Sequence, residues 1–336
     1  MFTNYSRFIL LIALLFSSIS LAQTLSGVVL DEKTKEPLYG VSVYFDGTTN
    51  GTATDMQGKF VISYKASTES ALVVSYLGYN TQIFDVRKLT SGVKIYLKSK
   101  PESLGVVFIE NDPWPRKRKM AIFRREFIGK TVGASECRIL NEDDIEVVFN
   151  PTTKKLTAYA SKPILVKNKY LGYTISYNME EFEAQLNVSR NGFTTTRSVY
   201  VEGTSFYSEL RKKTRKRNLK AREKEYEESI LHFMRSLAKK QLEENGFQIF
   251  HKGFIVPPYK YFDVTLEGEN AKIDMKTNKL IIVYDRFHKS SLTIPYENKV
   301  FYINKFGNFS PPKKLSFGGF FGKKRIANTL PLDYNL

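Results

Sequence analysis

The chain has 336 residues, a formal net charge of +17, and 42% hydrophobic and 14% aromatic side chains. That balance excludes a disordered or low-complexity protein and leaves room for roughly two buried cores. Cys137 is the lone cysteine, which excludes an intramolecular disulfide framework.

The chain opens MFTNYSRFILLIALLFSSISLAQ. Arg7 supplies a short positive segment, Phe8 to Phe16 is an unbroken apolar run, and Ser20 and Ala22 are small residues at the −3 and −1 positions of a cut before Gln23. This pattern predicts a secretory signal peptide over residues 1–22. The apolar run falls short of the roughly 20 residues a membrane helix needs. Gln rather than Cys at position 23 argues against a lipid-anchored mature end. With no later apolar stretch of spanning length, the mature protein is expected in the periplasm or cell envelope, peripheral to the outer membrane and without a transmembrane span.

Residues 24–98 read as short strands. LSGVVLD, GVSVYFDG, GKFVISY, ALVVSYLGY, TQIFDV and VKIYLK, with a short piece at Gly51–Thr54, are separated by turn signals such as DEKTKEP, GTTNG and LGYN. Seven strands without a helical period predict an antiparallel β-sandwich. Within it, TATDMQGKF places Asp55 three residues before Gly58. Asp at the first and Gly at the fourth position suit a structural turn, the carboxylate capping the turn amides and Gly tolerating positive φ. A calcium loop needs more oxygen ligands at close spacing than Asp55 and the distant Asp46 supply, so no metal is expected here.

SGVVLDEKTKEPLYGVSVYFDGTTNGTATDMQGKFVIS and LVVSYLGYNTQ carry G-x-V-x-D, P-L-x-G-V-x-V, T-D-x-x-G-x-F and S-Y-x-G-Y in order. With these elements the segment resembles the carboxypeptidase regulatory-like domain, found in many exported Bacteroidota proteins, including the N-terminal extensions of TonB-dependent receptors. The resemblance implies a prealbumin-like seven-stranded sandwich and a non-catalytic module, with Asp55 and Gly58 on the family's turn.

Residues 99–115 read as a linker, ending in Asn111-Asp112-Pro113-Trp114-Pro115. The charge changes with it. Lys and Arg outnumber Asp and Glu by only 9 to 7 over residues 23–100, but by 41 to 27 over 101–336.

Residues 116–336 predict an α+β domain. RKRKMAIFRREFIG has Met120, Phe123 and Phe127 at helical spacing. Alternating strands follow at Ile145–Phe149, Leu156–Ala160, Leu171–Tyr177 and Phe182–Leu186, with turns at Asn150–Thr153 and Asn191-Gly192. Ile273 and Met275 are expected to face Leu280 and Ile282 across a hairpin at Lys276–Lys279. One long amphipathic helix is predicted over Ser208–Glu244, with Tyr226, Ile230, Phe233 and Leu237 as its apolar stripe, Asn245-Gly246 as its stop, and an antiparallel sheet beneath it.

EFIGKTVGASECRILN, KLTAYASKPILVKNKYLGYTISY, EYEESILHFMRSLAKKQLEENGFQIF and GGFFGKKRIANTLPLDY resemble an uncharacterised region that follows the regulatory-like domain in related envelope proteins. The resemblance covers about residues 114–336 and implies no activity. Its helix pattern falls on Arg222, Tyr226, Glu228-Ser229 and His232-Phe233, Glu228 standing where that pattern has a small residue.

His232, His251 and His288 are the only histidines, and none sits in H-x-x-E, H-x-H or H-E-x-x-H. Zinc peptidase chemistry is therefore not expected, nor is a cofactor: the chain has neither a G-x-S-x-G elbow nor a phosphate-cradling glycine loop. Gly318-Gly319 and Gly322 beside Lys323-Lys324-Arg325 are read as a flexible turn. Glu225, Ser229, His232 and Ser236 share one helix face, the arrangement a hydrolase acting on envelope glycan or peptide would draw on. Side chains on one helix diverge, however, and nothing nearby forms an oxyanion hole.

Arg211-Lys212-Lys213-Thr214-Arg215-Lys216-Arg217 has six basic residues in seven. In an exported protein such a run points away from nucleic acid and towards a solvated helix start or contact with anionic envelope material, such as lipopolysaccharide phosphates or an acidic partner. The leading expectation is a non-catalytic envelope protein that binds a ligand or partner through Arg211, Lys212, Lys213, Arg215, Lys216, Arg217, Arg222, Tyr226, Ser229 and His232.

Overall fold

The computed structural model describes residues 22–65, 70–100, 112–190 and 192–336. Residues 1–21 of the expected signal peptide, residues 101–111 of the expected linker and Asn191 of the expected turn lie outside the described residues. The described residues fall into two compact units: the first runs as far as Val43 and again over Thr52–Lys100, and the second comprises Tyr44–Gly51 and the described residues beyond Pro101.

Seven strands come first among the described residues: β1 (Ala22–Asp31), β2 (Ser42–Phe45), β3 (Gly51–Ala53), β4 (Lys59–Lys65), β5 (Leu72–Ser75), β6 (Gln82–Phe84) and β7 (Val93–Leu97). They form a three-stranded sheet, β4-β1-β7, and a four-stranded sheet, β3-β2-β5-β6. Period-two patterning turns Leu25, Val29, Phe60, Ile62, Ile95 and Leu97 inward. The sandwich is not wholly antiparallel, because β1 runs parallel to β7. Asp55 Oδ1 accepts from the N–H groups of Gln57 and Lys59 at 2.9 and 2.8 Å, and the Gly58 N–H donates to the Asp55 carbonyl at 2.9 Å. Gly58 has φ +69°, and a Cβ there would stand 2.6 Å from the Val29 carbonyl oxygen.

In the second unit, α1 (Arg116–Phe127) precedes a six-stranded sheet of β8 (Cys137–Ile139), β9 (Ile145–Asn150), β10 (Lys155–Ala160), β11 (Ile164–Asn168), β12 (Tyr173–Val188) and β13 (Thr194–Glu209). Met120, Phe123 and Phe127 of α1 are buried in its core, Phe123 stacking on Phe127 and meeting Phe182 edge-on at 4.8 Å. Two expected short strands, Leu171–Tyr177 and Phe182–Leu186, merge into β12, which begins at Tyr173 and leaves Leu171 in the preceding turn. The inward alternation changes phase at the register shift between Met179 and Glu181, where a bulge absorbs one residue.

The expected 37-residue helix over 208–244 does not form. Ser208 and Glu209 end β13, and two helices follow, α2 (Lys216–Glu227) and α3 (Ile230–Ala238). The break has a local cause. Ser229 has an extended backbone, and its Oγ accepts from the His232 N–H at 2.9 Å, which caps a new helix rather than continuing the old one. Tyr226 therefore leaves the stripe, while Phe233 and Leu237 remain buried. Gly246, at φ +78°, lies well past the end of α3, in the turn before the next strand.

The remaining strands are β14 (Phe247–His251), β15 (Phe254–Val256), β16 (Phe262–Glu267), β17 (Asn270–Met275), β18 (Lys279–Tyr284), β19 (His288–Thr293), β20 (Val300–Ile303), β21 (Phe309–Ser310) and β22 (Ser316–Gly318). They form sheets β15-β14-β18-β19-β22 and β16-β17-β20-β21. The expected 276–279 hairpin is instead a crossing between sheets: β17 pairs with β16 and β20, β18 with β14 and β19. Ile273, Met275, Leu280 and Ile282 still share one core, together with Phe233 of α3. The second unit thus has two cores, one on the β8–β13 sheet and one between these two sheets, where a single helix-on-sheet core was expected.

Candidate anion-binding groove

The basic run lies where β13 gives way to α2. Arg215 is the N-cap of α2 in extended conformation, without a side-chain capping bond, and the first turn carries no acid. The usual helix start has the opposite chemistry, a capping oxygen and a carboxylate facing the positive end of the helix dipole. Here Arg215, Lys216 and Arg217 crowd that positive end.

The loop and the first turn of α2 border a concavity of about 470 Å³. Five cationic residues line it: Arg211, Arg215 and Arg217 from the run, with Lys167 of β11 and Lys169 just beyond it. Thr214, Asn218 and Glu209 complete the polar lining. Its frame is fixed by buried groups. Asn218 donates through Nδ2 to the carbonyls of Lys169 and Tyr170 at 2.9 and 2.7 Å. The Leu210 N–H donates to the Gly172 carbonyl at 2.9 Å. Gly172 has φ +81°, and a Cβ there would press on Asn218 Cγ at 3.1 Å.

Arg222 is 4% exposed. Its guanidinium grips Glu209 through two bonds of 2.8 Å, donates from Nε to the Leu171 carbonyl and lies 3.7 Å over the Tyr173 ring. Glu209 also accepts from the Thr214 hydroxyl. The single acid in the lining is thereby neutralised from beneath. Arg217 stands 3.2 Å from Glu136. Lys167, Lys169, Arg211 and Arg215 have no acidic partner among the described residues. Lys212, Lys213 and Lys216 are exposed beside the groove without lining it.

The other residues expected at the site lie elsewhere. Ser229 Oγ caps α3 and donates to the Tyr226 carbonyl at 2.7 Å. His232 Nδ1 lies 2.9 Å from the Glu227 carbonyl, and its ring packs among Tyr226, Phe247 and Tyr284. The Tyr226 hydroxyl accepts from Arg235 at 3.3 Å. These groups build the junction between α2 and α3. The Glu–His–Ser relay considered from sequence is not assembled. Glu225 is 3.0 Å from the donating Tyr170 hydroxyl and 2.5 Å from Lys324 Nζ, which also reaches Glu228 at 3.1 Å. Ser236 donates to the His232 carbonyl.

Among the described residues, no group of three or more His, Cys, Asp and Glu is placed to hold a metal, and no helix is long and apolar enough to cross a membrane. Burial pushes the Cys137 thiol up to about 12, so it is a thiol at neutral pH, donating to the Gly133 carbonyl. Gly319, at φ +65°, opens a five-residue helix whose Phe321 N–H is taken by Ser290 Oγ.

Lys167, Lys169, Thr214, Glu209 and Asn218 were not among the residues expected from sequence. Lys167 and Lys169 lie more than forty residues upstream of the run, and only the exposed positions in LVKNKY hint at them. Glu209 and Asn218 carry no local signal, since both act through contacts set by the fold.

The family model for the CarboxypepD_reg-like domain matches residues 25–109. The TonB-dependent receptor SusC of Bacteroides thetaiotaomicron is 38% identical over 104 residues, 30% of this chain and 10% of that protein. A TonB-dependent receptor of Formosa agariphila is 33% identical over 111 residues, 32% of this chain and 10% of that protein. The match thus spans about a tenth of the length of these curated relatives. Among solved structures, a type II cohesin–X-dockerin complex from Acetivibrio cellulolyticus is 18% identical, covering 34% of this chain and 83% of that one at a TM-score of 0.21. The major pilin subunit of Bacillus cereus is 10% identical, covering 89% and 67%, at a TM-score of 0.17. Neither score carries weight for the fold. The sequence elements, the seven-stranded sandwich and the family match together identify residues 25–109 as a CarboxypepD_reg-like domain.

Proposed function

We propose that the chain is a non-catalytic, exported cell-envelope module whose second unit binds an anionic envelope component or acidic partner at the groove between β13 and α2. The domain match and the similarity to TonB-dependent receptors support the envelope setting. One observation carries the binding reading: unpaired cations are gathered at the positive end of a helix whose cap and first turn supply no acid. Each such cation costs the helix a few tenths of a kcal/mol, about 0.3–1 at an exposed site, and an anionic ligand offsets that cost.

The test is sedimentation with purified outer membranes. Exposed charges are screened over about 10 Å at 0.1 M salt, so attachment should be strong at low salt and fall as salt rises. Replacing Arg211, Lys213, Arg215 and Arg217 together by Gln should abolish the low-salt attachment. Equal pelleting of wild type and variant at low salt would overturn the reading. Export is tested separately by sequencing the mature N-terminus, which should begin at Gln23; an intact Met1 would refute it.

A further inference from the structure

We infer that the groove is a site for a phosphomonoester group rather than a diffuse basic surface, an inference that rests on the anionic-ligand reading above. Three features of the groove point to this group. The first is donor geometry. Arg211 and Arg215 each carry a planar fork that suits two oxygens of one tetrahedral anion, Arg217 adds a guanidinium shared with Glu136 and the Lys169 carbonyl, and Lys167 and Lys169 border the same concavity as point charges. No acceptor among the described residues takes the backbone N–H groups of Lys216 and Arg217 at the start of α2. A phosphomonoester has three free oxygens for such a set, where a carboxylate or phosphodiester has two.

The second feature is charge. The cations without acidic partners exceed what one negative charge can balance. A phosphomonoester loses its second proton near pH 6 and carries almost two charges at pH 7. The third is shape. A concavity of about 470 Å³ is larger than a phosphate group needs and falls within the size range of small-molecule sites, so room remains for the alcohol that bears the ester.

The shared ligand chemistry is therefore a phosphomonoester, borne by a lipid headgroup or by a soluble ester. The experiment uses the mature full chain and vesicles containing phosphatidic acid or phosphatidylglycerol, matched in surface charge, with glucose 1-phosphate as soluble competitor. Phosphatidic acid should bind at least about tenfold more tightly, the effect of one further charge-assisted hydrogen bond. The preference should grow from pH 5 to pH 7.5 as the second proton leaves the phosphate. It should vanish in Arg211→Gln/Arg215→Gln, while Lys239→Gln, a substitution outside the groove, keeps it. Competition by glucose 1-phosphate identifies a soluble ester as sufficient; a preference that resists it assigns the ligand to the lipid headgroup. Equal, salt-sensitive binding to both vesicles overturns the phosphomonoester site and leaves the anionic-surface reading standing. Binding to neither overturns both.

Discussion

The two ends of α2 treat charge in opposite ways. At its start, Arg211 and Arg215 border a groove and have no acidic partner among the described residues. Along its inner face and just past its end, the charges are all matched: Arg222 with Glu209, and Glu225 and Glu228 with Lys324. Arg222 and Glu225 are buried and Glu228 and Lys324 largely so, whereas the unmatched cations are exposed. Taking an ion from water is costly unless a partner replaces the lost solvation, so the buried end had to be paired. The exposed end was under no such demand. Apart from the Arg217 contacts to Glu136 and the Lys169 carbonyl, the like charge at this helix start is not balanced within the described residues, and that is the ground on which a ligand is proposed.

The largest expected effect lies at the paired end. Lys324→Ala leaves the buried Glu225 without its cation and takes the lysine from Glu228, and should cost about 3–5 kcal/mol in urea unfolding. A cost below about 1 kcal/mol would mean that the inner face does not depend on pairing, and the contrast would collapse.

Asp46 sharpens the contrast from the acidic side. It accepts from the Ser205 N–H at 2.8 Å but has no ion pair among the described residues. Burial pushes its carboxyl up to about 6, with the nearby Glu180 charge adding to the rise. The folded state therefore holds this proton more tightly than the unfolded chain. Asp46's favourable contribution is present at low pH, is lost as pH rises from about 4 through 6, and is absent above. Asp46→Asn should remove that loss, gaining on the order of 1–3 kcal/mol over wild type at pH 7 and little at pH 4. An identical difference at both pH values would show that the carboxyl is not desolvated.

Ser229 separates a capping role from a catalytic one at the break between the two helices. Ser229→Ala should cost about 1 kcal/mol, and Ser229→Asp should restore most of it, because a carboxylate also accepts from the His232 N–H. Failure of the Asp rescue would remove the cap as the reason for the break.

How much of this could be read from the sequence follows the range of each interaction. The sandwich strands and α1 are fixed by alternation and spacing within a few residues, and they stand where the pattern places them. The 276–279 crossing deceived because Ile273, Met275, Leu280 and Ile282 alternate in the same way whether two strands pair or face each other across a core. The helix over 208–244 deceived because Ser229 is as compatible with a helix interior as with a cap; only the bond to the His232 N–H decides. The basic run was visible as composition, but its state of pairing was not. Lys324 meets Glu225 from 99 residues away, and Lys167 and Lys169 reach the groove from another strand. Arg222 and Arg215 look alike in the sequence, and one is a buried clamp while the other faces the groove.

The smallest expected effect on stability tests that last distinction most directly. Gln at Arg211, Lys213, Arg215 and Arg217 should leave stability within about 0.5 kcal/mol of wild type or slightly above it, since no ion pair other than Arg217–Glu136 is lost. Any gain should come from relief of cations at the positive end of the helix, and should shrink as salt screens them. The same salt series should leave the Lys324→Ala penalty nearly unchanged, because its charges are buried and poorly screened. Unfolding both variants in urea at 0.02 and 0.5 M salt decides the matter. A large, salt-independent loss in the quadruple variant would make the basic run part of the structural framework, and the two ends of α2 would then obey one rule rather than two.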